Sequence, residues 1–305
     1  MADQAFTEIT NGLQFPEGPV SMPDGSVILT EMLASRLTRV APDGTKTTVA
    51  EINGSPNGLA LGPDGYLYLC NNGNAFTKVD MGGLLYPGPF DPSRYIGGRI
   101  QRVNIETGVV TDLYTHCGEH QLRAPNDIVF DKHGGFYFTD HGTRAERTAD
   151  RTGIYYATTD GASITEIAFP VDGPNGIGLS PSEDTLYWAE THTGRVYQRT
   201  ITSPGVLAPP DGASVVLCGL PGYQLLDSLA VDGDGNVCVA TLINGGITVI
   251  SPSGEIVKHI AVDDRLTTNI CFGGPDFQTA YITASSTGRL LSMKWPYKGL
   301  KLNNQ

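Results

Sequence analysis

The sequence predicts an all-β fold, a six-bladed β-propeller with four-stranded blades forming one domain over residues 1–305. Three observations carry this. Helical periodicity is almost absent, and short β-type runs such as Val27–Leu29, Tyr66–Leu69, Phe136–Thr139 and Val237–Ala240 dominate. Pro-Asp-Gly turn signals recur at 23–25, 42–44 and 63–65, the punctuation of a sandwich, barrel or propeller. An internal repeat then selects the propeller.

Each repeat opens on a polar anchor and runs into a small-apolar strand. It then turns and enters a β-branched or aromatic strand. The openings are Pro16-Glu17-Gly18, Pro56-Asn57-Gly58, Pro125-Asn126-Asp127, Pro174-Asn175-Gly176, Leu226-Asp227-Ser228 and Thr268-Asn269-Ile270. The second strands read SVILTE, YLYLCN, GFYFTD, TLYWAE, NVCVAT and TAYITA. Anchors lie 40, 69, 49, 52 and 42 residues apart, about one blade each. Phe6–Thr10 is expected to complete the last blade and close the ring, which removes exposed strand edges. The 69-residue interval holds an insertion, residues 74–98, rich in Gly, Pro and aromatics. It reads as a lid over a binding site.

Composition excludes several classes. At 40% hydrophobic the chain is too apolar for disorder. No apolar run approaches the ~18 residues of a membrane span. The charge of −12 opposes nucleic acid and anionic membranes as partners. The opening MADQAFTEIT has no signal-peptide pattern, and five Cys without a CxxC pair read as reduced thiols, so a cytoplasmic location is expected. No GxSxG, P-loop or dinucleotide fingerprint occurs, and the six His form no HExxH pattern.

The first strand of each propeller blade lines the central channel. Pseudo-symmetry therefore gathers Glu17, Asn57, Asn126, Asn175, Asp227 and Asn269 into one ring. Every member carries a side-chain oxygen, and two are carboxylates. Converging oxygens with two negative charges suit a hard divalent cation. Without it, two carboxylates in a narrow channel repel and one pKa rises. Asn and Asp also start strands because they favour turns, which accounts for a lone Asn but not for Glu17.

These segments resemble the gluconolactonase/regucalcin (senescence-marker-protein) family of six-bladed propellers. The matching stretches are FPEGPV (15–20), APNDIVFDKHGGFYFTD (124–140), GPNGIGLSPSEDTLYWAE (173–190), LDSLAVDGDGNVCVA (226–240) and TNICFGGPDFQTAYITA (268–284). The resemblance implies one catalytic divalent cation at the channel mouth, held by Glu17, Asn175 and Asp227, with Asn126 as ligand or substrate contact. Calcium is the expected ion, with magnesium, manganese and zinc as alternatives. Asn57, Asn126, Arg123, His141 and Asn269 are expected to contact substrate. The implied activity is lactone hydrolysis by carbonyl polarisation and water attack, with Asp227 and Asn126 catalytic. Two departures concern the substrate: His141 stands where the family often has Pro after its FTD motif, and Ala124 where a regucalcin-like Arg is expected, with Arg123 beside it. The alternatives are a phosphotriesterase-like hydrolase on the same site and a non-enzymatic calcium-binding propeller.

Overall fold

Short Gly-bearing turns join the apolar runs into antiparallel hairpins. Gly25 and Gly65, with φ of 83° and 77°, take the left-handed conformation that the Pro-Asp-Gly turns require. In the computed structural model, which describes residues 6–305, these hairpins build six sheets around a channel. The first five residues of the expected domain lie outside the described residues. There is no α-helix among the described residues, only two 3-10 turns, Met32–Ala34 and Gly212–Val215.

The innermost strands are Pro16–Ser21, Pro56–Leu61, Pro125–Phe130, Pro174–Leu179, Leu225–Val231 and Thr267–Gly273, as the repeat predicts. The ring closes through Thr7–Thr10, which pairs with Arg289–Lys294 as the outer strand of blade 6. Blade 4 departs from four strands: its long Arg195–Ser203 strand pairs with Val216–Gly219 and, further along, with the short Val206–Leu207.

Both faces of each sheet are buried, which is why the second strands read as continuous apolar runs. Leu67 and Leu69 pack toward blade 1, whereas Tyr68 and Cys70 pack toward blade 3. Six such clusters fill the six gaps between neighbouring blades. Cys70, Cys238 and Cys271 are buried filler, and burial pushes each thiol up, Cys271 to about 12.

Near the axis the inner strands almost touch. A Cβ on Gly58 would stand 2.4 Å from the Asn126 carbonyl oxygen, and one on Gly18 would stand 2.5 Å from that of Asn57. Gly18, Gly58 and Gly176, each just after an anchor, thus let neighbouring inner strands approach this closely. Gly58→Ala is expected to cost about 1–3 kcal/mol through overpacking. Its melting midpoint should fall by several degrees, and an unchanged midpoint would contradict the close approach.

Candidate active site

The same local device aims all six anchors. The ladder between first and second strands shifts register at the anchor in every blade: Glu17/Val20, Pro56/Leu59, Pro125/Ile128, Pro174/Ile177, Leu226/Leu229 and Thr267/Asn269. Such bulges re-aim a side chain. In three blades the last residue of the second strand then clamps the chain just before the anchor. Glu31 accepts the Gln14 N–H at 2.7 Å, and Asn71 accepts that of Ser55 at 3.0 Å. The Asp140 carboxylate accepts the N–H groups of Arg123 and Ala124 at 2.7 Å and of Gly142 at 3.0 Å.

Removing the Asp140 carboxylate leaves three N–H donors without their acceptor, at about 1–3 kcal/mol for each that stays buried and unpaired. Asp140→Ala should therefore lower both the melting midpoint and the activity of the site that begins at Asn126. Asp140→Asn keeps one acceptor oxygen and should lose less. Equal melting curves for both variants and the parent would refute the clamp.

Glu17, Asn57, Asn126, Asn175 and Asp227 come together on one cavity of about 400 Å³ at one end of the channel. His141 joins them on its wall, with Arg144, Thr191 and His192. Two expected contacts are placed elsewhere. Asn269 donates from Nδ2 to Glu17 Oε2 at 3.3 Å and lines a narrower cavity of about 70 Å³ further down the channel. It therefore supports Glu17 and is not among the residues lining the upper pocket. The Arg123 guanidinium is bonded to Asp150 at 2.9 Å and to Thr143 at 3.3 Å, and lies over the Tyr95 ring. These partners hold it outside the pocket lining.

The floor is electrostatically strained. Burial, reinforced by the charge of Asp227, pushes the Glu17 carboxyl well above the usual range. Burial raises Asp227 to about 7, and nearby Asp127 adds to the rise against a hydrogen bond from Asn175. Asp127 is itself pushed by burial to about 7. It stands one position past the anchor, where three other blades carry glycine, and lines the narrower cavity with Asn269, next to the ring. The Asn-Asp pair at 126–127, against Asn-Gly in two of the other blades, was the available signal.

The wall is polar on one side. Burial first, then the nearby His192, depresses His141 to about 4, so its ring is neutral. Its Nδ1 lies 3.2 Å from the Gly142 carbonyl oxygen and must donate to it. Nε2 is left as an acceptor. The insertion forms the facing side. Its hairpin, Lys78–Asp80 with Leu85–Pro87, crosses from blade 2 toward blades 1 and 6. Lys78 donates to the Gln14 side chain at 2.7 Å and the Leu85 N–H to the Ser286 carbonyl at 2.8 Å. Leu85 is buried against Phe15, Met32 and Leu266.

A divalent cation is implied by the resemblance, and one feature tests the fit. The side-chain oxygens of Asn126 and Asn175 are buried with no hydrogen-bond partner. Asn175 is oriented by its other atom, Nδ2, which donates to Thr191 Oγ1 at 3.1 Å. Buried acceptors are seldom left unpaired. Two orphaned amide oxygens beside two mutually repelling carboxylates form a donor set suited to a hard cation. Among the described residues no three Asp, Glu, His or Cys side chains group as metal ligands, because half of this donor set is amide.

Residues 15–286 match the family described as the SMP-30/gluconolactonase/LRE-like region. The chain belongs to this family. Among relatives, it is 29% identical over 256 residues to lactonase drp35 of Staphylococcus saprophyticus and 28% identical to that of Staphylococcus haemolyticus, covering 83% of this chain and 71% of each relative. A gluconolactonase from Xanthomonas campestris shares the fold at 20% identity and a TM-score of 0.77, over 97% of this chain and 91% of that one. A calcium-binding regucalcin from Agrobacterium tumefaciens does so at 18% and 0.74, over 97% of each chain. Within the family's fold, no helix among the described residues is long and apolar enough to cross a membrane.

Proposed function

We propose that this family member is a divalent-cation-dependent lactonase. The observation that carries the reading is the pairing of two unpartnered amide oxygens, on Asn126 and Asn175, with two buried carboxylates, Glu17 and Asp227, around one pocket. Lactonases among the curated relatives and a calcium-binding propeller among the structural neighbours support it.

Glu17, Asn126, Asn175 and Asp227 would hold the cation, with calcium the first choice for an all-oxygen set. When bound, the cation supplies Lewis acidity toward the lactone carbonyl. The chain supplies the rest. Asn269 holds Glu17 Oε2 in place. Asn57 and Asn126 orient the substrate through their amides. Asp227 accepts the proton of the attacking water. His141, neutral and with Nε2 as acceptor, orients a substrate or water hydrogen on the pocket wall. Residues 74–98 act as a lid, tethered through Lys78 and Leu85.

The direct test strips divalent ions with chelator and adds calcium, magnesium, manganese and zinc back singly against sugar-acid, aliphatic and aromatic lactones. Turnover should vanish on chelation and return with at least one ion. Turnover that survives full chelation would refute cation dependence. Tight calcium binding with no lactone cleaved would favour a binding protein, and cleavage of phosphotriesters alone would favour the phosphotriesterase reading.

A further inference from the structure

The upper half of the pocket offers almost nothing for a hydroxyl group to bond. Phe15, Met32, Phe76, Phe90, Leu242 and Leu266 also line the cavity, with the Phe76 ring edge-on to that of His141 at 6.0 Å between centroids. Over Pro87–Pro89 the insertion's backbone offers no free N–H. Pro87 and Pro89 have no N–H, and the Gly88 N–H between them is spent on the Thr77 carbonyl at 2.7 Å. The Thr77 hydroxyl donates in turn to the Pro89 carbonyl at 2.9 Å. Polar groups are confined to the floor and to one wall, where Arg144 is already paired with Asp172. Arg123, expected from the sequence to contact substrate, is held away by Asp150 and Tyr95.

A lactone seated with its carbonyl on the floor must point its substituent into this apolar half. Ring hydroxyls placed there lose water without gaining a partner. An alkyl or aryl group placed there gains by burial. We propose that the pocket selects lactones bearing an alkyl or aryl substituent over polyhydroxylated sugar lactones, and that Phe76 and Phe90 of the insertion read that substituent. This rests on the lactonase reading above and names its substrate class.

The test has two arms, both on the full chain with calcium present. The first measures kcat/KM for γ-lactones of increasing alkyl length and for glucono-1,5-lactone. The second measures, by calorimetry, the affinity of matching γ-alkyl lactams, which resist hydrolysis. Each added methylene is expected to raise kcat/KM and lactam affinity by about fourfold, the equivalent of ~0.8 kcal/mol per buried CH₂. Phe76→Ser and Phe90→Ser, at partly exposed positions, should flatten this slope in both arms, with melting curves checking that the cluster on which Phe76 packs stays folded. Phe76→Leu should restore much of it.

Preference for glucono-1,5-lactone with no chain-length dependence would overturn the proposal while leaving the lactonase reading intact. If no lactone is cleaved, the lactonase reading falls and the lactam arm decides. Affinity that climbs with chain length and collapses in Phe76→Ser upholds the apolar specificity, and a flat series overturns it.

Discussion

Asp227→Asn is expected to lower lactone kcat/KM by at least about a thousandfold, roughly 4 kcal/mol of transition-state stabilisation. The same variant should make the metal-free protein more stable. Burial and the neighbouring carboxylates disfavour the charge on Asp227, and the amide removes that charge without changing the side chain's shape. A gain of about 1 kcal/mol would raise the metal-free melting midpoint by roughly 2 °C. Calcium should then add much less to the midpoint than it adds to the parent, because the variant's floor has lost one of two charges. Glu17→Gln should behave alike, since Asp227 raises its carboxyl too. A variant that loses activity and also loses metal-free stability would mark Asp227 as a structural residue. Parental activity would remove it from the mechanism altogether.

Stability of the metal-free protein should fall as pH rises from about 4 to about 7, against the usual behaviour of buried carboxylates in ion pairs. Asp127 and Asp227 ionise near 3.8 when free in solution but near 7 in the folded chain. Across that window the folded state binds more protons than the unfolded state, so each step up in pH favours unfolding. The contribution is complete below the lower value and gone above the upper one. At about 1.4 kcal/mol per pKa unit, the loss amounts to a few kcal/mol. Melting with chelator should therefore give a midpoint lower at about pH 8 than at about pH 5, by roughly 5 °C or more. Calcium binds the ionised floor, so the midpoint gain it brings should grow through the same window. A metal-free midpoint that is flat or rising over this range would show that the three carboxylates do not share one desolvated floor.

Most of the frame was legible before any coordinates. Six anchors at near-blade spacing fixed the inner strands, because a repeat that cannot bury its faces alone must stack on its neighbours. The return of Phe6–Thr10 to the last blade followed from the need to cover an edge. The composition of the ring was legible for the same reason: one position in the repeat means one level in the channel. Depth and direction within a level were not. Asn269 sits at the anchor position by sequence, yet its Nδ2 donates to Glu17 and it lines the narrower cavity and not the upper pocket. Arg123 is adjacent to a family-like position, but its side chain goes where Asp150 and Tyr95, distant in sequence, provide partners. Asp127 stands one position beyond the repeat's anchor, so the repeat alone does not single it out. The apolar half of the pocket was only partly visible. Phe76 and Phe90 stood out in the insertion, whereas Phe15, Met32, Leu242 and Leu266 reach the cavity from separate blades.

The closure of blade 6 also sets an order of events during synthesis. Thr7 pairs with Ser292, so this strand, once made, waits for a partner more than two hundred residues further along the chain. Until Arg289–Lys294 emerges, five blades can hairpin locally while the N-terminal strand has no partner and the ring stays open. The nascent chain is thus open to mispairing with a neighbour until Arg289–Lys294 has been made. Any change that slows arrival of that strand lengthens the interval without altering the folded molecule.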